Sequence, residues 1–385
     1  MKNLLLIGTA ILAVSCNNLK ENEYLIAGTI DPSFNGRHVI LKENNGSILA
    51  IKTVDSTVIE NGKFSFRGTT DSIKSGFFYI EGKEEDPMAV YIEKGTIDIK
   101  VDKDTVSNSV ISGTLNNDAI YKYLQLDKEF NNQYSKIYNT YNDDYMKAVK
   151  EKDTVNEKRL KKIFDDFYNK NYSKYSDFMK ENPDSEVSLL AFSSYCRYKT
   201  DKDFNTLNNL YKILGKEVKE TKRGKKVGKE IENMGIMEKA RARTAVGTPA
   251  PDFKGTTPNG ETLSLKEAMG KVTIIDFWAS WCGPCVQQTP KLVSIYNEFH
   301  HKGLNIIGVS LDNKETEVMW NTMITERNLN WQHITNYTGW DDPIVKEYGI
   351  KGIPEIIVLN SDGIIVARDI EYPELRNKIK ELLAE

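Results

Sequence analysis

The spacing of apolar and polar positions changes character three times along this chain. Leu4 to Val14 is an almost unbroken apolar run of eleven residues behind the basic start Met1-Lys2-Asn3. A bilayer-spanning helix needs about 20 apolar residues, so this run is too short to span and reads as the core of a secretory signal. From residue 23 to about 113 the apolar positions come in short β-rich runs: Tyr24–Gly28, His38–Leu41, Phe77–Ile80, Met88–Ile92 and Ile97–Val101. Asn61-Gly62 between Val58 and Phe66 supplies the positive φ angles of a tight turn and predicts a hairpin. The spacing predicts a small antiparallel β-sandwich-like domain over 23–113.

From 114 to about 245 the period becomes helical. Tyr123, Phe130, Tyr134, Ile137, Tyr141 and Tyr145 recur on one helical stripe, and Phe164, Phe167, Tyr168, Tyr172, Tyr175 and Phe178 on others. Such stripes are the seam of a helical core rather than a ligand box. The basic run Lys216 to Lys229 is diluted by Glu217 and Glu220 and reads as a solvated helix face. Val246-Gly247-Thr248-Pro249-Ala250-Pro251-Asp252-Phe253 then punctuates the chain. Beyond it, Val272–Phe277, Ile306–Leu311 and Glu355–Leu359 are buried-strand runs alternating with helices over Leu292–Phe299, Lys314–Arg327 and from Pro373. That alternation predicts an α/β layer fold for 246–385.

Composition narrows the functions open to this chain. It has 385 residues, 52 basic against 55 acidic, and a net charge of -3, without the basic excess of a nucleic-acid binder. Four cysteines exclude a disulfide-stapled scaffold, and four histidines leave little for a metal centre.

The chemistry concentrates in Cys282-Gly283-Pro284-Cys285, directly after a buried strand and at the opening of a helix. Two thiols at i and i+3 there can close a small disulfide ring, and the helix N-terminus favours the thiolate of the first. Zinc would call for a second ligand pair, and neither Cys16 nor the solitary Cys196 belongs to one. An inert structural disulfide leaves the surrounding residues unexplained. Cys196, after an apolar helical run, is expected to be a buried free thiol.

Two resemblances extend this reading. Leu12-Ala13-Val14-Ser15-Cys16 is similar to a bacterial lipobox, although Ala13 stands where that family prefers Leu. It implies that 1–15 is a lipoprotein signal peptide, that Cys16 carries a lipid, and that 16–22 is a tether to a membrane of the cell envelope, facing the periplasm. Asp276-Phe277-Trp278-Ala279-Ser280-Trp281-Cys282-Gly283-Pro284-Cys285 resembles the active-site segment of thioredoxin. Pro290 matches the family's helix-kinking proline, and Tyr348 to Pro354 matches the segment ending in its cis-proline. The extra helix before that segment and the lead-in at Gly247–Phe253 resemble the TlpA/ResA group of membrane-tethered thiol–disulfide oxidoreductases. The front segments resemble an uncharacterised region that often accompanies this group.

The resemblance implies a thioredoxin-like domain over 246–385, with a mixed central sheet flanked by helices. It implies that Cys282 is the exposed nucleophile, Cys285 the buried resolving thiol, and Asp276 the carboxylate that takes its proton. Trp281, Gly283, Pro284, Gly352, Ile353 and Pro354 would form the substrate-binding rim. No cofactor or metal is implied beyond the Cys282–Cys285 disulfide. Partners would be cysteine-containing exported proteins or apocytochromes, in cytochrome c maturation or disulfide quality control, with a membrane thiol-transfer protein of the DsbD kind as electron donor and no nucleic acid. Gly283-Pro284 resembles thioredoxin, a reductant near about −270 mV. Glu355 departs from the small residue usual after this proline, and alternation along the strand would turn it away from the cysteines. Two other function classes remain open here. A thiol peroxidase needs a Thr where Ala279 stands, and a non-catalytic ligand-binding lipoprotein would place function in the front domains.

Overall fold

A computed structural model describes residues 19–44, 51–199 and 203–384. The signal segment and Cys16 lie outside the described residues. The chain divides into two compact units, the first ending at Lys226 and the second beginning at Val227.

The first unit opens with eight strands: β1 (Glu23–Thr29), β2 (His38–Asn44), β3 (Ile51–Val58), β4 (Lys63–Thr69), β5 (Lys74–Ile80), β6 (Met88–Ile92), β7 (Gly95–Lys100) and β8 (Val110–Ser112). They form two four-stranded sheets, ordered β4-β1-β7-β8 and β3-β2-β5-β6. Alternate residues turn inward, and Phe64 of one sheet meets Phe78 of the other at 6.1 Å between ring centroids. Pairing is antiparallel except between β1 and β7, which run parallel. The Asn61-Gly62 turn forms with both φ angles positive, closed by reciprocal Glu60–Lys63 backbone bonds. It does not continue as a hairpin, because β3 pairs with β2 and β4 with β1. The turn is therefore a corner between the sheets, a distinction that local turn chemistry does not encode.

Helices follow: α1 (Leu115–Glu151), α2 (Thr154–Asn171), α3 (Ser173–Glu181), α4 (Val187–Tyr198), α5 (Phe204–Ile213), α6 (Lys216–Glu220) and α7 (Lys222–Arg243), the last containing the division between the units. The aromatic stripes pack on one another. Phe130 lies 4.3 Å from Tyr198 and 5.0 Å from Phe167, and Tyr175 donates its hydroxyl to Asp127 at 2.9 Å. Cys196 is half-buried.

The second unit contains β9 (Lys254–Thr256), β10 (Thr262–Ser264), α8 (Leu265–Ala268), β11 (Val272–Trp278), α9 (Gly283–Phe299), β12 (Leu304–Ser310), α10 (Glu317–Glu326), β13 (Gln332–Thr335), α11 (Pro343–Tyr348), β14 (Glu355–Leu359), β15 (Ile365–Arg368) and α12 (Tyr372–Leu382). Its seven-stranded sheet has the order β10-β9-β13-β12-β11-β14-β15. β11, β12 and β13 run parallel, while β14 lies antiparallel to β11. This is the mixed sheet of a thioredoxin-like domain. All seven residues of β11 are buried, as a central strand covered on both faces demands. The strand ends beside α9, which brings its last residues to the helix N-terminus.

Candidate active site

Cys282 is the N-cap of α9 and Pro284 stands in the helix's first turn. A proline there loses nothing, since its missing N–H would have had no partner in the helix. Cys282 and Cys285 are joined as a disulfide. The Cys285 amide donates to Cys282 Sγ at 3.2 Å, so this sulfur sits where the helix directs its unpaired N–H groups. Both cysteines are only 5% exposed, whereas the resemblance implies an exposed Cys282. Closing the bond lets each side chain cover the other, so surroundings rather than exposure distinguish them. Cys282 Sγ lies 3.8 Å from the Ile353 carbonyl oxygen. Cys285 instead lines a narrow cleft with Asp276, Thr289, Pro354 and Tyr372, with room for about one water molecule.

The rim residues gather around the disulfide's outer edge. The Ile353–Pro354 bond is cis. Trp281 is 45% exposed, a large apolar surface beside the disulfide. Gly283 and Gly352 each leave open space where a Cβ would stand. An approaching chain meets no side chain at either position. Pro290 stands inside α9.

Asp276 lies on β11 and burial alone pushes its carboxyl up to about 7. A carboxyl so placed holds and releases a proton near neutrality, as a general base needs. Burial raises Tyr372 across the cleft, and the Asp276 charge adds to that shift.

Three arrangements escaped the sequence reading, the last around a residue it had singled out. Asp312, fully buried, accepts from the Ser280 amide at 2.9 Å, the Ser280 hydroxyl at 2.6 Å and the Ser310 hydroxyl at 2.5 Å. It anchors the loop that carries Trp281 and Cys282. Its only sequence signal is a charged residue directly after a buried strand. Second, Asp276, Gly308 and His333 stand in register on adjacent strands, so they share a face of the sheet. The His333 ring donates through Nε2 to the Leu329 carbonyl at 3.2 Å, since a carbonyl can only accept, and burial pushes the ring down to about 4. The remaining atom, Nδ1, and the Trp278 indole N–H have no hydrogen-bond partner among the described residues. Third, Glu355 is held by Arg368 Nε at 2.7 Å and Arg241 Nη1 at 2.9 Å. Burial raises its carboxyl, and the two guanidinium charges oppose that shift.

Comparison with known proteins divides along the same lines. Residues 245–383 match the redoxin family, and residues 24–120 match a domain of unknown function, DUF4369. The thiol-disulfide oxidoreductase ResA of Bacillus thuringiensis subsp. konkukian is 28% identical over 138 residues, 36% of this chain and 76% of that protein. The thioredoxin-like protein YneN of Bacillus subtilis is 29% identical over 136 residues, 35% of this chain and 76% of that protein. Among solved structures, the thioredoxin domain of a thiol-disulfide oxidoreductase from Bacteroides vulgatus is 32% identical. It covers 36% of this chain and 98% of its own, with a TM-score of 0.34. The redoxin match lies within the unit that carries the Cys282–Cys285 disulfide. This unit is a redoxin domain of the ResA/TlpA type, and the chain is a thiol–disulfide oxidoreductase.

Proposed function

We propose that this protein is an exported, lipid-tethered dithiol reductant that acts on cysteines of other exported proteins. The observation that carries the reading is the disulfide at the N-terminus of α9, with one sulfur facing the Ile353 carbonyl and its partner sharing a cleft with Asp276. In the reduced protein the helix N-terminus favours the Cys282 thiolate. That thiolate attacks one sulfur of a substrate disulfide. A Cys282–substrate bond forms, the substrate S–S bond breaks, and the leaving sulfur departs as a thiolate that takes a proton from solvent. Cys285 then gives its proton to Asp276, directly or through one water, and attacks Cys282 Sγ. The second substrate thiolate leaves, and the Cys282–Cys285 bond closes. Two electrons have passed from the dithiol to the substrate.

Ile353, beside Cys282, would pair its backbone with the substrate chain, and Trp281 would shield the mixed disulfide. A membrane dithiol donor of the DsbD kind would return the two electrons, and a lipid on Cys16 would keep the domain at the membrane. Apocytochromes and misoxidised envelope proteins are the substrate class this chemistry suits.

Trapping tests the reading. A Cys285→Ala variant expressed in cells should retain its substrate as a mixed disulfide on Cys282, which mass spectrometry of the cross-linked species identifies. Equilibration of the purified protein with glutathione tests direction. A potential near about −270 mV supports a reductant, and one near about −120 mV refutes it.

A further inference from the structure

Helix α7 ends at Arg243, before the residues that match the redoxin family, yet its last turns grip the loop that reaches the disulfide. The loop runs from Tyr348 to Glu355. At its entry, Thr244 Oγ1 donates to the Tyr348 carbonyl at 3.1 Å and Arg368 Nη2 donates to the same carbonyl at 2.7 Å. Gly349 has a φ of +62°, and a Cβ there would stand 2.5 Å from the Met237 carbonyl oxygen and 2.6 Å from the Arg241 nitrogen. The helix backbone therefore lies directly against the entry. At its exit, Arg241 Nη1 and Arg368 Nε both donate to Glu355 Oε1, at 2.9 and 2.7 Å. Arg368 Nη1 donates to Thr244 Oγ1 at 2.7 Å, joining the two ends. Only the middle of the loop is left to face the sulfurs, through the Ile353 carbonyl.

We propose that Arg241 is a positioning residue for substrate docking: from behind the loop, together with Arg368, it holds Glu355 and so fixes the Ile353 backbone edge along which an extended substrate segment pairs. The assignment rests on the exchange reaction proposed above. It gives a role to the carboxylate next to Pro354, where such domains usually carry a small residue. A planar guanidinium suits the task, because its forked donors meet Glu355 and Asp369 together. It also places residues upstream of the redoxin match in the redox site's support.

The test uses the full chain and four proteins: wild type, Arg241→Lys, Arg241→Met, and the double variant Arg241→Met/Glu355→Gln. In Arg241→Met, Glu355 keeps its ion pair with Arg368, so no buried carboxylate is left alone; the double variant removes that pair as well, and the urea unfolding midpoint of each protein guards against simple unfolding. Reduction of insulin, with dithiothreitol as terminal reductant, requires a polypeptide to dock. Reduction of 5,5′-dithiobis(2-nitrobenzoic acid) does not. Arg241→Met and the double variant should raise the insulin KM by roughly five- to tenfold with kcat within about twofold, and leave the small disulfide's rate within about twofold. Arg241→Lys should fall between them and wild type. Amide hydrogen exchange at residues 349–353, which needs no substrate, should quicken in both methionine variants. An unchanged insulin KM in the double variant overturns the proposal, as does an equal loss toward insulin and the small disulfide. Should the wild type reduce neither compound, the exchange reaction itself falls, and hydrogen exchange alone decides whether Arg241 holds the loop.

Discussion

Replacing Asp276 by Asn separates the electrostatic account of the site from a merely structural one. Burial moves this carboxyl from 3.8 to about 7. Each tenfold change in proton affinity is worth about 1.4 kcal/mol, so the fold disfavours the ionised form by up to about 4 kcal/mol. The folded-state value lies above the unfolded one. The native chain therefore binds the extra proton between about pH 4 and pH 7, and stability falls as pH rises through that window. Asn is neutral throughout and removes the slope. The variant should match wild type near about pH 4.5 and exceed it by roughly 2–4 kcal/mol at about pH 8. The assay is urea unfolding of the oxidised chain at several pH values, because disulfide-bonded cysteines do not titrate. Tryptophan fluorescence isolates the relevant unit, since all five tryptophans, Trp278, Trp281, Trp320, Trp331 and Trp340, lie in it. The same variant should leave attack by Cys282 intact and slow resolution of the mixed disulfide by roughly a hundredfold. A stability difference that stays flat across the window would refute the raised affinity, and unchanged resolution would remove Asp276 from the proton path.

Two further outcomes follow from buried polar groups. Asp312→Ala strips three donors of their acceptor, and should cost about 3 kcal/mol in the same fluorescence assay and speed alkylation of reduced Cys282 by loosening its loop; unchanged stability would mean that the Ser280–Asp312 contacts are incidental. His333 has its folded-state value lowered to about 4, so the unfolded chain binds the extra proton below the ordinary value of 6.5, and stability is lost as pH falls from about 6.5 to 4. His333→Gln should flatten that acid loss by up to about 3 kcal/mol, whereas an acid profile identical to wild type would contradict a buried neutral ring.

The placement of the disulfide at a helix start was legible because its signals are local. A largely apolar strand, two cysteines at i and i+3, and a proline at a helix start are contiguous in the chain, and each constrains the backbone by itself. The helical stripes of 114–245 were legible for a similar reason, since 3.6-residue periodicity survives whatever the helices pack against. β13 and β15 were missed, being four residues each and too short to show a period. The Asn61-Gly62 turn was placed correctly and its consequence misjudged, since turn chemistry sets two φ angles but not which sheet each flanking strand joins.

What the sequence determined by itself is the setting of the disulfide: sulfur spacing, helix opening, buried carboxylate and the cis-proline. These depend on covalent neighbours and on burial that an apolar run guarantees. What only the tertiary structure decided is how the centre is held. Asp312 meets Ser280 across 32 residues, and Arg241 meets Glu355 across 114. Charged side chains of this kind read as surface residues in a sequence, because their reason for burial is a partner that only folding brings near.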